Sequence, residues 1–220
     1  MKQLSRGFTL VELLIVIALL GVIATIVIAA INPIEQANRA ADAGLKADAS
    51  QLLSAIDRFY ATHSDFPWNE CTGAGCTAAV VSTDTAVPFT SADTAGYGLC
   101  TTTGAGCKTA ATQGTLISSL ELQSSFLSKT WIGATTSSVD YSKALVVGKG
   151  GTSSAAVYVC WAPKSSTDKQ NLINTATAGN SKIVDVTAGW GTNVVPTVGT
   201  CTALTDTGWK TGKCEECVPE

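Results

Sequence analysis

Residues 8–31 read FTLVELLIVIALLGVIATIVIAAI, an apolar run of 24 residues in which Glu12 is the one charged side chain. A helix rises about 1.5 Å per residue, so this run would extend roughly 36 Å, and the hydrocarbon core of a bilayer is about 30 Å thick. The run is therefore predicted to be a membrane-spanning helix, and it separates a short basic leader from a larger C-terminal part.

The residues before the run set the predicted orientation. Lys2 and Arg6 lie in residues 1–7, and positive charge on this side favours a cytoplasmic N-terminus with the bulk of the chain outside. A cleaved secretory signal is the alternative. Its apolar region is usually about 7 to 15 residues long, and the nearest A-x-A site, at residues 41–43, lies ten residues beyond residue 31. A retained span is the preferred interpretation.

Residues 32–65 have a different pattern. Asn32 and Pro33 end the apolar run, and apolar residues then recur at steps of three and four, as on one face of an amphipathic helix. The members of this stripe are Leu45, Ala49, Leu52, Leu53, Ile56, Phe59 and Tyr60. The chain is therefore predicted to begin with about 55 residues of nearly continuous helix, apolar all round in the first half and amphipathic in the second.

Residues 66–220 form the predicted head, which is rich in Thr, Ser and Gly. Strands are predicted within residues 144–147, 155–161, 182–186 and, more weakly, 194–198, and a short helix within residues 115–131. The fold class is α+β: a long N-terminal helix packed against a small, antiparallel sheet with disulfide-closed loops.

Eight cysteines all lie in the head, and an even number outside the cytoplasm predicts disulfides. They are Cys71, Cys76, Cys100, Cys107, Cys160, Cys201, Cys214 and Cys217. Proximity suggests the pairs Cys71–Cys76, Cys100–Cys107, Cys160–Cys201 and Cys214–Cys217, one of 105 possible connectivities. The first two pairs would close similar turns, because residues 72–76 and 103–107 both read TGAGC.

Zinc is the alternative for these thiols, but no second close pair lies at finger spacing from Cys214 and Cys217, and no metal or other cofactor is predicted.

Charge and residue types argue against several function classes. Residues 66–220 contain 9 Lys and 11 Asp plus Glu, a net charge of −2, which disfavours phosphate-backbone binding by the head as a whole. His63 is the one histidine, so a Ser or Cys nucleophile lacks its usual base. Glu215 and Glu216 are predicted to be surface charges. The sequence does not predict an enzyme.

Residues 6–17, RGFTLVELLIVI, resemble the N-terminal motif of type IV pilins and the related pseudopilins of type II secretion. The resemblance implies cleavage by a prepilin peptidase after Gly7, which makes Phe8 an N-methylated mature N-terminus. Glu12 resembles the family's buried acidic residue, and Gly21 the glycine where the helix of assembled pilins loosens. Many members place a helix-breaking proline about one turn earlier than Pro33, so the extent of any unwound segment is left open.

Glu12 needs a partner, because a charge inside an apolar span costs several kcal/mol when unpaired. Cleavage would create one at the Phe8 α-amine, four residues away on the same helix face. The pair is possible within one chain or between staggered subunits, where it would set the register more than add stability. The alternative is that Glu12 lies near the membrane interface and reaches water.

These features together predict a structural subunit of a pilus or pseudopilus. It would be held in the cytoplasmic membrane as a precursor and then assembled with copies of itself or other pilins in an extracellular filament. Adhesion, motility, DNA uptake and secretion all remain open as its task. The rival is a single-span anchored binding protein that does not polymerise, which needs neither cleavage at Gly7 nor Glu12.

Overall fold

The structure is a computed structural model. It describes residues 7–69, 87–93, 97–100, 113–132, 144–151, 155–177, 183–187, 201, 208–211 and 214–219. Within these ranges the chain forms an N-terminal helical rod and a sheet, so the predicted α+β class is confirmed.

The rod consists of two helices, α1 (Leu10–Ala30) and α2 (Pro33–His63). Between them Ile31 and Asn32 are extended, with φ/ψ of −97°/117° and −84°/91°. Pro33 starts α2, a position where its missing N–H is not needed. The predicted rod is therefore confirmed, with an interruption at residues 31–32, whereas Gly21 lies inside α1.

The amphipathic stripe of α2 packs against the sheet. Its apolar buried residues are Ala49, Leu52, Ala55, Ile56 and Phe59, which follow the helical period of three and four. They form one core with side chains of the sheet and of the connecting segments, among them Val159 and Trp161. The helix ends at Ser64, a left-handed residue with φ 57°. The first half of the rod therefore lies outside the core, and the second half is part of it.

The sheet has five strands in the order β1-β2-β3-β5-β4, and all neighbouring pairs are antiparallel. The strands are β1 (Val87–Ser91), β2 (Val146–Lys149), β3 (Val157–Trp161), β4 (Ile183–Val184) and β5 (Glu215–Val218). Sequence patterning located β2, β3 and β4 within a few residues but missed β1 and β5. The weaker candidate at residues 194–198 lies outside the described residues.

Short helices cover the connections. The helix predicted within residues 115–131 is divided into α3 (Thr115–Ser118) and a 3-10 turn (Ser124–Ser128). Leu120, with φ 64°, lies between the two pieces. Helix α4 (Ser166–Thr177) follows β3 and was not predicted, and α5 (Gly208–Thr211) precedes β5. Helix α4 is the element that packs beside the first turns of α2.

The disulfides in the structure correct two of the predicted pairings. Cys160 bonds to Cys217, and Cys201 bonds to Cys214. The predicted pair Cys214–Cys217 is wrong because both residues lie along extended β5. Residues three positions apart in a strand have Cα atoms about 10 Å apart, beyond the disulfide range of about 7 Å. Instead, Cys160 faces Cys217 directly across β3 and β5, with a Cα–Cα distance of 4.0 Å.

The remaining cysteines were assigned to two small loops. Cys100 is disulfide-bonded, and its partner lies outside the described residues. Cys71, Cys76 and Cys107 also lie outside them. The pairs Cys71–Cys76 and Cys100–Cys107 therefore stay predictions.

Candidate assembly helix and its attachment to the head

The surface of α1 is apolar on every side. Its large side chains are all exposed, namely Leu10, Val11, Leu13, Leu14, Ile15, Val16, Ile17, Leu19, Leu20, Val22, Ile23, Ile26, Val27 and Ile28. Residues Leu10–Ile28 are long and apolar enough to cross a membrane, by length and composition, and none of them is buried. An all-round apolar helix is stable in lipid or among other helices rather than in water.

The start of α1 is fixed by a capping box. Thr9 is the N-cap, and its Oγ accepts a hydrogen bond from the Glu12 N–H at 3.2 Å. In return, Glu12 Oε2 accepts from the Thr9 N–H at 2.9 Å and from the Thr9 hydroxyl at 2.8 Å. Two donors at the helix start are thus satisfied within the chain. The pattern T-x-x-E was visible in the sequence, but its capping role was not predicted.

Gly7 and Phe8 lie just before this cap, outside any helix or strand. Phe8 is 88% exposed, and a Cβ at Gly7 would meet no atom within 4 Å. The predicted cleavage point is therefore an accessible peptide bond one residue before the cap. Glu12 turns back toward Thr9, so its carboxylate lies at the start of the helix.

Helix α2 is attached to α4 through two carboxylates, neither of which the sequence analysis singled out. Glu35 accepts hydrogen bonds from the N–H groups of Thr167 at 2.9 Å and Ser166 at 3.0 Å, and from the Ser165 hydroxyl at 2.8 Å. The backbone N–H groups of Thr167 and Ser166 are the main reason that the pKa of Glu35 falls to about 2. Glu35 is thus held as an anion at the start of α4, where the helix dipole favours negative charge.

Asp42 lies two turns further along α2 and is buried, with 4% of its surface exposed. Its two oxygens accept from the Lys164 N–H, both at 2.9 Å, and Oδ2 also accepts from the Ser165 N–H at 2.7 Å. Burial raises the pKa of Asp42, and the backbone hydrogen bonds of Ser165 and Lys164 oppose this rise. Asp42 thus fixes the segment that connects β3 to α4.

Further polar contacts tie the middle and end of α2 to the head. Asp48 accepts from Lys129 Nζ at 2.7 Å and from the Trp131 indole N–H at 3.0 Å. Near the C-terminal end, Arg58 Nε lies 3.0 Å from a carboxylate oxygen of Glu121. Polar side chains of α2 therefore contact the head in addition to its apolar stripe.

Glu215 and Glu216 occupy opposite faces of β5, against the prediction that both are surface charges. Glu216 Oε1 lies 3.4 Å from Lys46 Nζ of α2. Glu215 is fully buried, and within the described residues neither of its carboxyl oxygens has a hydrogen-bond partner. Burial raises the pKa of Glu215 well above its ordinary value, so the protonated form is favoured in the fold.

His63 contacts side chains of its own helix. The His63 ring stacks on Phe59 with centroids 4.1 Å apart, and its Nδ1 lies 2.8 Å from the Thr62 hydroxyl. This places His63 at the end of α2, in contact with the residues of its own helix.

In the described part of the chain, no three His, Cys, Asp or Glu residues are grouped so that they could hold a metal ion.

An apolar N-terminal helix, continued by a helix packed on an antiparallel, disulfide-bonded sheet, defines a pilin-like subunit. The model of the prokaryotic N-terminal methylation motif matches residues 2–28. In its N-terminal segment the chain is therefore similar to type IV pilins.

Similar proteins agree with this class. The fimbrial protein of Neisseria meningitidis serogroup B (strain MC58) is 36% identical over 75 residues, which are 34% of this chain and 42% of that protein. The type IV major pilin protein PilE1 of Neisseria gonorrhoeae is likewise 36% identical over 75 residues, 34% of this chain and 44% of that protein. This chain thus spans about two fifths of the length of these relatives. No solved structure matches it significantly.

Proposed function

We propose that this protein is a structural subunit of a type IV pilus-like filament and not an enzyme. The observation that carries the proposal is α1, whose large apolar side chains are all exposed. A single polypeptide in water would not keep such a surface uncovered, so lipid covers it first and neighbouring subunits cover it later. The similarity to fimbrial and pilin proteins supports the same role.

The proposed precursor has four parts. Residues 1–7 are a leader, residues 8–31 span the cytoplasmic membrane and later form the filament core, residues 32–65 are the amphipathic helix, and residues 66–220 are the extracytoplasmic head. The N-terminus lies inside and the head outside, because the basic leader stays on the cytoplasmic side. Disulfides in the head support this orientation, since they persist in oxidising compartments.

Processing is proposed to occur between Gly7 and Phe8. A prepilin peptidase would cut there, and the new Phe8 α-amine would be methylated. The exposed, non-helical backbone before Thr9 supports access to this bond. The family motif that spans residues 2–28 supports the methylation.

Glu12 is proposed to guide assembly. Before cleavage its charge is met by Thr9; after cleavage the Phe8 amine becomes available, in the same chain or in a neighbouring subunit. Such a pair would fix the axial stagger of packed helices more than it would add stability. Loosening of α1 at Gly21 would belong to the assembled state, because α1 is unbroken there in the single chain.

The partners of the subunit would be copies of itself or other pilins, together with the peptidase and the membrane assembly machinery. Adhesion, motility, DNA uptake and secretion are all compatible with such a filament. The competing function is a single-span anchored binding protein that never polymerises. It shares the span and the head, but it requires neither processing at Gly7 nor a role for Glu12.

The deciding experiment combines the intact mass of the membrane-extracted chain with negative-stain microscopy of material sheared from cells. We expect a mass that lacks residues 1–7 and includes one methyl group, and filaments that contain the chain. Gly7→Val is the control for processing: a Cβ at Gly7 would meet no atom within 4 Å, so the variant should block cleavage without unfolding the head. Unprocessed wild-type chain and no filaments would favour the anchored binding protein.

A further inference from the structure

We propose that Glu35 and Asp42 form a clamp that joins the first turns of α2 to α4, so that bending of the rod is confined to Ile31 and Asn32. This device goes beyond the filament function, because it would act within the single chain whether or not the chain assembles. The clamp is defined as the two α2 carboxylates together with the backbone of residues 164–167 that they bind.

The hinge is the two-residue interruption of the rod. Ile31 and Asn32 have extended backbone angles, while the Ile31 N–H still bonds to Val27 O at 3.1 Å and the Gln36 N–H to Asn32 O at 3.2 Å. The helical hydrogen bonds thus stop at residue 31 and begin again immediately afterwards. On the N-terminal side, α1 is exposed throughout its described side chains. Rotation at these two residues therefore changes the direction of α1 without disturbing any described packing.

On the other side of the hinge, apolar packing begins late. The apolar stripe of α2 starts at Leu45, and Asp42 is the one buried residue within residues 33–44. A helix of this length that lacks a packed apolar face is marginal in water. If nothing else held it, the first three turns of α2 would fray together with the interruption, and the hinge would extend for a dozen residues.

The clamp supplies the missing attachment. Glu35 and Asp42 are seven residues apart and therefore lie on one face of α2. Between them they accept hydrogen bonds from the N–H groups of Lys164, Ser165, Ser166 and Thr167, four consecutive residues. These donors include N–H groups at the start of α4, which have no partner within that helix.

Neighbouring contacts reinforce the same junction. Ser165 precedes α4, and its hydroxyl both donates to Glu35 and accepts from the Asp168 N–H at 3.2 Å. Arg39, one turn after Glu35, lies 3.5 Å from Glu35 and also donates to the Thr167 hydroxyl. Because the acceptors are charged and most donors are backbone groups, the junction has little rotational freedom.

Hydrogen exchange of the full-length chain in detergent micelles tests the clamp. In the wild type we expect amides of residues 36–44 to be protected nearly as well as those of residues 52–60, and amides of residues 32 and 34 to exchange much faster. In the double variant Glu35→Gln/Asp42→Asn, amides of residues 36–44 and 168–172 should exchange about tenfold faster or more, because charge-assisted hydrogen bonds are lost. Residues 52–60 should remain protected.

Asp57→Asn is the matched control, since Asp57 is an α2 carboxylate with no hydrogen bond to the head among the described residues. It should leave the exchange of residues 36–44 unchanged. The proposal is overturned if the double variant exchanges like the wild type in this segment. If the double variant loses protection everywhere, the wild type decides: exchange of residues 36–44 as fast as that of residues 32 and 34 would show that no clamp exists.

Discussion

The carboxylate of Glu12 is bound by Thr9, whose N–H and hydroxyl lie 2.9 and 2.8 Å from Glu12 Oε2. The sequence pattern alone implied that the charge of Glu12 has no partner before processing. The structure shows that Thr9 already provides one. This lowers the cost of holding Glu12 in lipid. It also means that a freed Phe8 amine competes with, or adds to, hydrogen bonds that already exist.

The Cys160–Cys217 disulfide should contribute more to stability than Cys201–Cys214. The bonded residues are 57 and 13 positions apart in sequence, and the loop-entropy estimate gives about 4 kcal/mol for the longer loop against about 3 kcal/mol for the shorter one. We expect Cys160→Ser/Cys217→Ser to lower the denaturant midpoint further than Cys201→Ser/Cys214→Ser does. Equal midpoints of the two double variants would contradict this order.

The buried Glu215 should make the head less stable as pH rises. Its folded pKa is raised by burial, so above the unfolded value of about 4.5 the folded state still holds a proton that the unfolded state has released. Stability then falls by about 1.4 kcal/mol per pH unit until the folded pKa is reached. Glu215→Gln should remove this part of the slope and be more stable than the wild type at neutral pH, as measured by denaturant unfolding at several pH values.

Glu216→Gln is the control for Glu215, because it changes the adjacent residue on the other face of β5. Loss of its contact with Lys46, 3.4 Å away, should cost about 1 kcal/mol or less, with no gain in stability at neutral pH. An identical pH slope in the wild type and in Glu215→Gln would show that Glu215 does not titrate as a buried acid.

Two glycines should respond oppositely to alanine. A Cβ at Gly114 would overlap Gly98 O and lie 2.6 Å from Cys100 N, and both are backbone atoms that cannot rotate away. We expect Gly114→Ala to destabilise the head by about 1–3 kcal/mol, as overpacking does.

Gly44 lies within α2 with no atom near its Cβ position, so Gly44→Ala should stabilise by about 0.5–1 kcal/mol. Thermal unfolding in detergent measures both changes, and a stable Gly114→Ala variant would disprove the close approach.

The parts of the fold predicted from sequence are those with a strong local pattern. The apolar run and the stripe from Leu45 to Tyr60 have helical periodicity over many residues, so the rod was predicted together with most of its core face. Strand β5 was missed because Glu215 and Glu216 read as polar, yet both are covered through contacts with distant segments. Glu35 and Asp42 were missed for the same reason: their partners lie more than 120 residues away, and no local pattern indicates such a pairing.

Glu12→Gln and Glu12→Ala should leave the precursor inserted and processed but reduce filament assembly. We expect insertion to be retained because removing a charge lowers the free energy of inserting an apolar span into the membrane. What is lost is the anionic partner for the Phe8 amine, and leaving one member of a buried ion pair unpaired costs about 3–5 kcal/mol. We therefore expect about tenfold less sheared filament or worse at equal amounts of processed monomer, with both quantified in parallel from the same cells.

Thr9→Val separates the charge of Glu12 from its capping role. This variant removes the hydroxyl that binds Glu12 but keeps the carboxylate, so the amine still has its partner. If the charge is what assembly requires, Thr9→Val should retain most filaments while both Glu12 variants lose them. If the capping box is what matters, Thr9→Val should fail as Glu12→Ala does, and Glu12→Gln, which keeps an oxygen acceptor, should be the mildest of the three. Normal filaments from both Glu12 variants would remove the role in assembly proposed for this residue, because the apolar surface of α1 alone would then be sufficient.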